Sequence, residues 1–387
     1  MSTGSKLTKT ELQALVDATN SYLTNAYTNK VIGPGSGKPR FELYHADLSL
    51  CSYKVRTVMA EKGATYFSHA LHIMPAGKFV PHNYRPEYVR LRLQGAPDQK
   101  FVGGYTGASS VQSEGFDPCV VPTLVDHEEV KVVVDSRTIC EHIDRAVGGT
   151  PLIPEGMEEV IDAQIRLVDE VPHVAALYGA HPDDDFRPIG LRKNIAGVHV
   201  KKIRALNAMI EQVKDDPALL EAYRAKISKE ASAGAFVIDA DGMRATHLKM
   251  AEHVDTLEAQ LETHDGDWVC GDAFTMADIM WALSMYRLDW LGFGRLWADK
   301  SKRPRLIGYL DRVFARPSVR AGCIEWRGAH APSPHVAEYS GAGAAANFFA
   351  HSARSLPLKE IFLGVPNVTL PPLEPLPPQA SQKALSQ

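Results

Sequence analysis

A hydroxyl and a thiol lie two positions apart at Ser49 and Cys51, where a strand-like run (40–45) gives way to a helical one (52–62). A helix N-terminus carries unpaired amide groups and partial positive charge, so it stabilises an anion placed there. A thiolate is such an anion, and it is the reactive form of cysteine. The spacing therefore indicates thiol chemistry, by Cys51 itself or by a bound thiol that accepts a hydrogen bond from Ser49. The competing interpretation is that Ser49 and Ser52 cap the helix and Cys51 is a small core residue.

The composition is that of an ordinary globular chain and excludes several classes of partner. With 387 residues, two or three domains are expected. The net charge of -4 gives no polycationic face, so we expect no binding to nucleic acid. No apolar run approaches the roughly 20 residues of a membrane helix, and the first residues do not resemble a secretory signal. We therefore expect a cytoplasmic protein with no membrane association.

The cysteines and histidines argue against a disulfide framework and against a metal site. There are 5 cysteines, an odd number, and no Cys-x-x-Cys pair occurs. The 15 histidines include no His-x-x-x-His pair. No Gly-x-Ser-x-Gly sequence occurs, so a serine-hydrolase triad has no support. We predict a reduced chain without a metal and with at most one reactive thiol.

The first part of the chain predicts the elements that would position Ser49 and Cys51. A helix (6–27) and a turn-rich linker (33–39) come first. Then follow a strand (41–45), a helix (52–62), a strand (65–73), a short helix from Pro86, a long loop (94–119), two strands (120–126 and 130–134), and a helix opened by Asp135 and Ser136. This order predicts a small mixed sheet with helices on its faces.

The remainder of the chain has helical periodicity until about Pro317. The predicted helices cover residues 158–177, 191–213, 217–233, 243–262, 276–291 and 304–315. Residues from about 332 are rich in Ala, Gly, Ser and Pro, and residues 370–378 predict extended polyproline structure. The predicted organisation is an N-terminal helix and linker (1–39), an α/β domain (40–147) containing the inserted loop (94–119), an all-α domain (157–330) and a C-terminal tail (331–387).

Three local features occur in one order: Ser49-x-Cys51, Val121-Pro122 before a strand, and Asp135-Ser136 at a helix start. Pro122 could be an ordinary strand-entry proline, and Asp135 and Ser136 could be caps. In a small mixed sheet followed by helices, however, the three together resemble a cytosolic glutathione transferase. The resemblance implies a thioredoxin-like N-terminal domain followed by an all-α helical bundle domain.

The same resemblance implies roles for these residues. Ser49 or Cys51 would act on the glutathione sulfur, and the backbone of Val121, before a cis Pro122, would pair with the cysteinyl part of glutathione. Asp135 and Ser136 would hold the γ-glutamyl ammonium and carboxylate, which agrees with the affinity of helix N-termini for anions. Glutathione as cosubstrate, no metal and a homodimer are further implications.

A narrower resemblance concerns four segments: 49–56, 88–93, 120–127 and 278–281. They are similar to glutathione-dependent reductive dehalogenases of chlorinated hydroquinones. This implies that glutathione displaces chloride from the ring and that Cys51 then attacks the sulfur of the conjugate. The reduced hydroquinone would leave, and a second glutathione would resolve the Cys51–glutathione mixed disulfide.

Three alternatives remain open on the sequence. A zeta-type maleylacetoacetate isomerase would use the same loop without net redox change, although the insertion after Leu93 argues against that compact class. An aryl ether lyase resembling the β-etherases would need Ser49 but not Cys51. A non-catalytic binding or dimerisation module is the third. Tyr178, Trp281 and Trp290 are candidates for an aromatic wall of the substrate pocket, with core positions as the competing interpretation.

Overall fold

The computed structural model describes residues 7–108, 111–188, 191–192, 197–326, 351 and 353–376. Its first part contains a five-stranded mixed sheet with the order β1-β3-β2-β4-β5. The strands are β1 (Asn29–Ile32), β2 (Phe41–His45), β3 (Tyr66–Ala70), β4 (Thr123–Asp126) and β5 (Lys131–Val134). Strands β2 and β3 are parallel, and the other neighbours are antiparallel. The predicted mixed sheet is confirmed, and β1 is an edge strand that the sequence analysis missed because none of its side chains is fully buried.

Helices pack around this sheet. They are α1 (Lys9–Asn20), α2 (Leu50–Glu61), α3 (Pro86–Leu93), a short α4 (Val111–Glu114) and α5 (Ser136–Val147). Helix α1 begins with a capping box between Thr8 and Glu11 and ends earlier than the predicted residue 27. The short α4 lies inside the segment predicted to be a loop.

A helical part follows. Its helices are α6 (Glu158–Asp169), α7 (His173–Tyr178), α8 (Val198–Ile210), α9 (Pro217–Phe236), α10 (Ala240–Glu262), α11 (Met276–Trp290), α12 (Pro304–Ala315) and a single turn, α13 (Pro317–Val319). The helix predicted over 158–177 is two helices, because Pro172 has no amide hydrogen and disfavours a helical residue before it. None of the described helices is long and apolar enough to cross a bilayer.

Helix α11 is the centre of the helical part. It begins with a capping box, in which the Asp278 carboxylate accepts from the Thr275 amide at 2.8 Å. Trp281 is fully buried, and its indole donates to Gln164 at 2.9 Å. Of the two interpretations of Trp281, the core position is therefore correct and the pocket wall is wrong. One apolar cluster joins Trp281 to Val55 of α2, so the sheet and the helical part share a core.

Two described segments after Pro317 contain helical structure that the composition did not predict. A π-helical turn (Arg320–Ile324) packs on α2, where a Cβ added to Gly322 would lie 2.5 Å from the Thr57 nitrogen. A further helix, α14 (Leu358–Leu363), follows in the C-terminal segment 353–376. The Ile361 carbonyl accepts from the Lys78 amide at 2.9 Å. Residues 370–376 are neither helix nor strand, and residues 377–378 lie outside the described part of the chain.

Candidate active site

The three features found in the sequence meet at one edge of the sheet. Tyr44, near the end of β2, pairs with Thr123 at the start of β4. Thr123 pairs in turn with Val134 at the end of β5. Since β4 is antiparallel to both neighbours, the loop after β2, the residue Pro122 and the helix start at Asp135 all lie at the same edge.

Ser49 is the N-cap of α2, and Cys51 lies in the first turn. The Ser49 hydroxyl oxygen accepts a hydrogen bond from the Ser52 amide at 3.3 Å. A hydroxyl oxygen that accepts one bond keeps its own proton for donation. The capping interpretation of Ser49 is therefore correct, and it is compatible with donation to a sulfur atom.

Cys51 differs from the other four cysteines in its surroundings. All five are free thiols, and three of them are fully buried: Cys119, Cys140 and Cys323. Burial raises the pKa of each of these three thiols. Burial and the nearby Asp278 also raise the pKa of Cys270, to about 11. Cys51 is a partly exposed thiol at a helix start, which is where a reactive cysteine is expected.

A buried cation lies one helical turn after Cys51. The Lys54 ammonium bonds to Asp169, at the end of α6, at 2.9 Å. Burial opposes its charge, but Asp169 and Cys51 raise the pKa of Lys54 above its ordinary value. Lys54 is thus an ammonium that is paired with Asp169 and also interacts electrostatically with Cys51. No role was predicted for Lys54 from the sequence, although its position three residues after Cys51 places both on one helix face.

The Val121–Pro122 peptide bond is cis, as the resemblance implied. Arg92 of α3 is 2% exposed and donates to the Pro122 carbonyl at 2.6 Å and to the Asp117 carbonyl at 3.0 Å. Its guanidinium also donates to the Thr123 hydroxyl at 3.0 Å. Arg92 therefore holds both ends of the short loop before β4, which runs from Asp117 to Pro122. This role of Arg92 was not predicted from the sequence.

Asp135 and Ser136 form the start of α5. The Asp135 carboxylate accepts from the amides of Arg137 at 3.0 Å and Thr138 at 3.1 Å, so Asp135 is a helix cap. Its φ of 71° is unusual for a residue with a side chain and costs about 1–3 kcal/mol. Burial raises the pKa of the Asp135 carboxyl. The Ser136 side chain is buried in the first turn beside it.

Two residues of the helical part reach the same sheet edge. Arg287 of α11 is buried and donates to the Leu48 carbonyl, directly before Ser49. The Tyr178 hydroxyl lies 3.8 Å from the sulfur of Met74, in the loop after β3. Tyr178 and Trp290 are both partly exposed, as a pocket wall requires. Arg287 was missed, because its spacing within α11 carries no signal for a contact with residue 48.

The C-terminal part also contacts the loop that contains Ser49. Asp47 accepts from the Trp326 indole at 2.8 Å and from His351 at 2.7 Å. Burial tends to raise the pKa of the Asp47 carboxyl. The hydrogen bonds from His351 and Trp326 outweigh that effect and hold this pKa below its usual range. Trp326 falls in the predicted all-α domain and His351 in the predicted C-terminal tail, and neither was assigned a contact with this loop.

One group of side chains outside this edge has the spacing of a cation site. Ligand atoms of Asp126, Glu129 and His142 lie within 4.8 Å of one another. Arg40 donates to Asp126 at 2.7 Å and contacts Glu129 at 3.4 Å, and His142 bonds to Asp126 at 2.9 Å. Burial opposes ionisation, but Arg40 and His142 lower the pKa of Asp126 to about 2. The carboxylates therefore already have protein partners.

Comparison with known proteins gives a consistent set of similarities. The family model described as "Glutathione S-transferase, C-terminal domain" matches residues 243–312. The chain is 46% identical over 302 residues to a 2,5-dichlorohydroquinone reductive dechlorinase of Sphingobium indicum, covering 77% of this chain and 86% of that protein. It is 25% identical over 292 residues to a tetrachloro-p-hydroquinone reductive dehalogenase of Sphingobium chlorophenolicum, covering 75% and 99%. A solved β-etherase from Sphingobium sp. strain SYK-6 is 19% identical, with coverage of 73% and 97% and a TM-score of 0.46.

Proposed function

This chain belongs to the glutathione S-transferase family, and we propose that it is a glutathione-dependent reductive dechlorinase of chlorinated hydroquinones. The observation that carries the proposal is the pair of Ser49 and Cys51 at the start of α2, where Cys51 is a partly exposed thiol. A site with serine alone could form a glutathione conjugate. It would lack the second thiol that a reduction requires.

We assign glutathione binding to residues 40–147 and ring binding to residues 157–330, with residues 1–39 and 331–387 outside both. The Val121 backbone would pair with the cysteinyl part of glutathione. Asp135 would accept from the γ-glutamyl ammonium, and the Ser136 hydroxyl with the α5 amides would bind the carboxylate. The convergence of these groups on the edge that carries Ser49 supports this assignment.

The proposed reaction uses both sulfur atoms in turn. Ser49 donates to the glutathione sulfur and favours its thiolate, which forms a bond to the ring carbon while chloride leaves with the C–Cl electron pair. The Cys51 thiolate then attacks the sulfur of the conjugate, and the ring carbon takes the S–C electron pair and a proton. A second glutathione reduces the mixed disulfide on Cys51, so each chloride released is matched by one glutathione disulfide.

We further propose that the enzyme works in the cytoplasm as a homodimer. Its five cysteines are all free, which suits a compartment where glutathione keeps thiols reduced. Light scattering on the purified protein tests the dimer. A monomeric mass at micromolar concentration would contradict it.

The test compares the wild-type protein with Cys51→Ser and with Cys270→Ser, a control at another partly exposed thiol. With glutathione and a chlorohydroquinone, the wild type and the control should release chloride and form glutathione disulfide in equal amounts. Cys51→Ser should stop at a glutathione conjugate that mass spectrometry detects. Full reductive turnover by Cys51→Ser would remove Cys51 from the mechanism.

A parallel screen of aryl ethers and maleylacetoacetate separates the alternatives. Release of a phenol with no glutathione disulfide would indicate an ether lyase. Isomerisation without loss of glutathione would indicate a zeta-type enzyme.

A further inference from the structure

The hydroxyl group of Tyr178 is paired with a buried lysine. The Lys202 ammonium of α8 donates to the Tyr178 oxygen at 3.3 Å and lies 4.6 Å from the centre of its ring. A lysine ammonium can only donate hydrogen bonds. The Tyr178 oxygen is therefore the acceptor in this pair, and its own proton must point to another atom.

That proton is directed at a poor acceptor. The Tyr178 hydroxyl donates to the Met74 sulfur at 3.8 Å. A thioether sulfur accepts hydrogen bonds weakly, and a methionine side chain has several accessible rotamers. Met74 is also 37% exposed. An oxygen atom entering between the two side chains would therefore replace the sulfur as the acceptor for Tyr178.

Tyr178 lies over the sheet edge that carries the candidate active site. Strand β3 runs parallel to β2, with Ala70 opposite His45, so the Met74 loop leaves the same edge as the Ser49 loop. The helical part spans this edge: Asp169 at the end of α6 bonds to Lys54, and Tyr178 at the end of α7 contacts Met74. Tyr178, through its contact with Met74, and Cys51, in the first turn of α2, thus border the same edge of the sheet.

A buried chain of charges fixes Lys202. Its ammonium pairs with Glu230 of α9 at 3.3 Å, and Glu230 pairs with Lys226 at 2.9 Å. Lys226 bonds to Asp117, in the inserted segment 94–119, at 2.8 Å. Burial opposes the charge, but Glu230 raises the pKa of Lys202 above its ordinary value. This row of buried ion pairs therefore keeps the charged Lys202 ammonium as a donor to the Tyr178 oxygen. It also links the inserted segment 94–119 to Tyr178.

We propose that Tyr178 determines specificity by donating a hydrogen bond to an oxygen of the aromatic substrate, with Lys202 as the residue that positions its hydroxyl. The nearby ammonium favours an oxygen with negative charge, such as a phenolate or a ring carbonyl. The identity of the ring rests on the proposed function. The claim that Tyr178 donates a hydrogen bond to a bound oxygen depends only on the contacts of Tyr178.

The first test is equilibrium binding of unchlorinated hydroquinone, which has no chloride to lose, measured by calorimetry. Tyr178→Phe should weaken hydroquinone binding roughly 3- to 10-fold, the usual effect of one hydrogen bond, and leave glutathione binding unchanged. Chlorobenzene, a ring without oxygen, should bind both proteins equally. Met74→Leu, which keeps the volume and removes the sulfur, should bind hydroquinone as tightly as the wild type or more tightly.

Equal hydroquinone binding by Tyr178→Phe and the wild type would overturn the proposal. Equal loss of chlorobenzene and hydroquinone binding would also overturn it, because that would indicate a packing effect. These results are separate from chloride release by the wild type, which tests the proposed function alone.

The positioning role of Lys202 needs a kinetic measurement. Lys202→Met should raise the KM for a chlorohydroquinone by a similar factor without raising the KM for glutathione. Lys202→Arg should restore the wild-type KM. If the KM for the chlorohydroquinone and the KM for glutathione both rise in Lys202→Met, in proportion to its loss of thermal stability, then Lys202 has a structural role only.

Discussion

Arg92 and Arg90 lie two residues apart on α3 and should differ sharply when each is changed to methionine. Arg92 is 2% exposed and donates to three acceptors around the cis-proline loop: the Asp117 and Pro122 carbonyls and the Thr123 hydroxyl. Hydrogen bonds from a charged donor contribute about 1.5–3 kcal/mol each, and their losses are not additive. We expect Arg92→Met to lower the free energy of unfolding by about 3–5 kcal/mol, because three buried acceptors lose their donor.

Arg90 provides the matched control. Its side chain is 45% exposed and pairs with Asp216 at 3.1 Å. Exposed ion pairs contribute about 0–1 kcal/mol, so Arg90→Met should change the free energy of unfolding by less than about 1 kcal/mol.

Urea unfolding followed by circular dichroism measures both variants, and calorimetry measures glutathione affinity. Arg92→Met should bind glutathione more weakly at temperatures where it is still folded, since its loop carries Val121. Arg92→Lys should have a free energy of unfolding and a glutathione affinity between those of the wild type and Arg92→Met, because an ammonium can donate to only some of the three acceptors. Equal unfolding free energies for the variants at positions 92 and 90 would refute the claim that Arg92 holds the loop.

Two further predictions concern Ser136 and His247. Ser136→Ala should weaken glutathione binding about tenfold with little change in melting temperature. Unchanged affinity together with a lower melting temperature would mean that Ser136 only stabilises the start of α5. His247→Phe should be more stable than the wild type, because neither ring nitrogen of His247 has a hydrogen-bond partner among the described residues. Burial, with His181 and Arg295, lowers the pKa of His247 to about 4. The unfolded chain therefore binds a proton first as pH falls from about 6.5 to 4. Because His247 is only partly buried, solvent screens part of this effect, and the wild type should lose about 1–2 kcal/mol that the variant retains. Parallel unfolding curves across that range would contradict this.

The parts of the site that the sequence predicted are those with local causes. Ser49 caps the helix that follows it, and Asp135 caps the helix that begins one residue later. Both are polar residues between a strand and a helix, where the amides of the first turn need acceptors. Pro122 precedes a strand that opens with the β-branched and apolar residues Thr123, Leu124 and Val125. Each of these features is set by residues within a few positions, so a single sequence contains the information.

The parts that the sequence did not predict depend on contacts between distant positions. The Trp326 and His351 bonds to Asp47 join residues 279 and 304 positions apart. No periodicity or turn signal reports such a contact. The split between α6 and α7 is different, because Pro172 was visible in the sequence and its effect on a helix is local. The predicted single helix ran across that proline because the apolar residues on both sides have helical spacing.

Buried arginines explain how an edge made of loops can be rigid. Arg56 donates to the Ala46 carbonyl at 3.1 Å and the Asp47 carbonyl at 3.3 Å, and Arg287 donates to the Leu48 carbonyl. Arg92 does the same for Asp117 and Pro122. Loop carbonyls at the ends of strands have no ladder partner, and a buried carbonyl without a donor is costly.

A guanidinium offers five donors in one plane, so a single side chain can serve several such carbonyls. In a helix pattern an arginine is normally assigned to the solvated face. Arg56 and Arg92 are instead 1% and 2% exposed, on helices whose neighbouring loops form the candidate site. An arginine on the apolar face of a helix beside an irregular loop therefore marks a loop whose backbone is held in place. In this chain, those loops carry Ser49 and Val121.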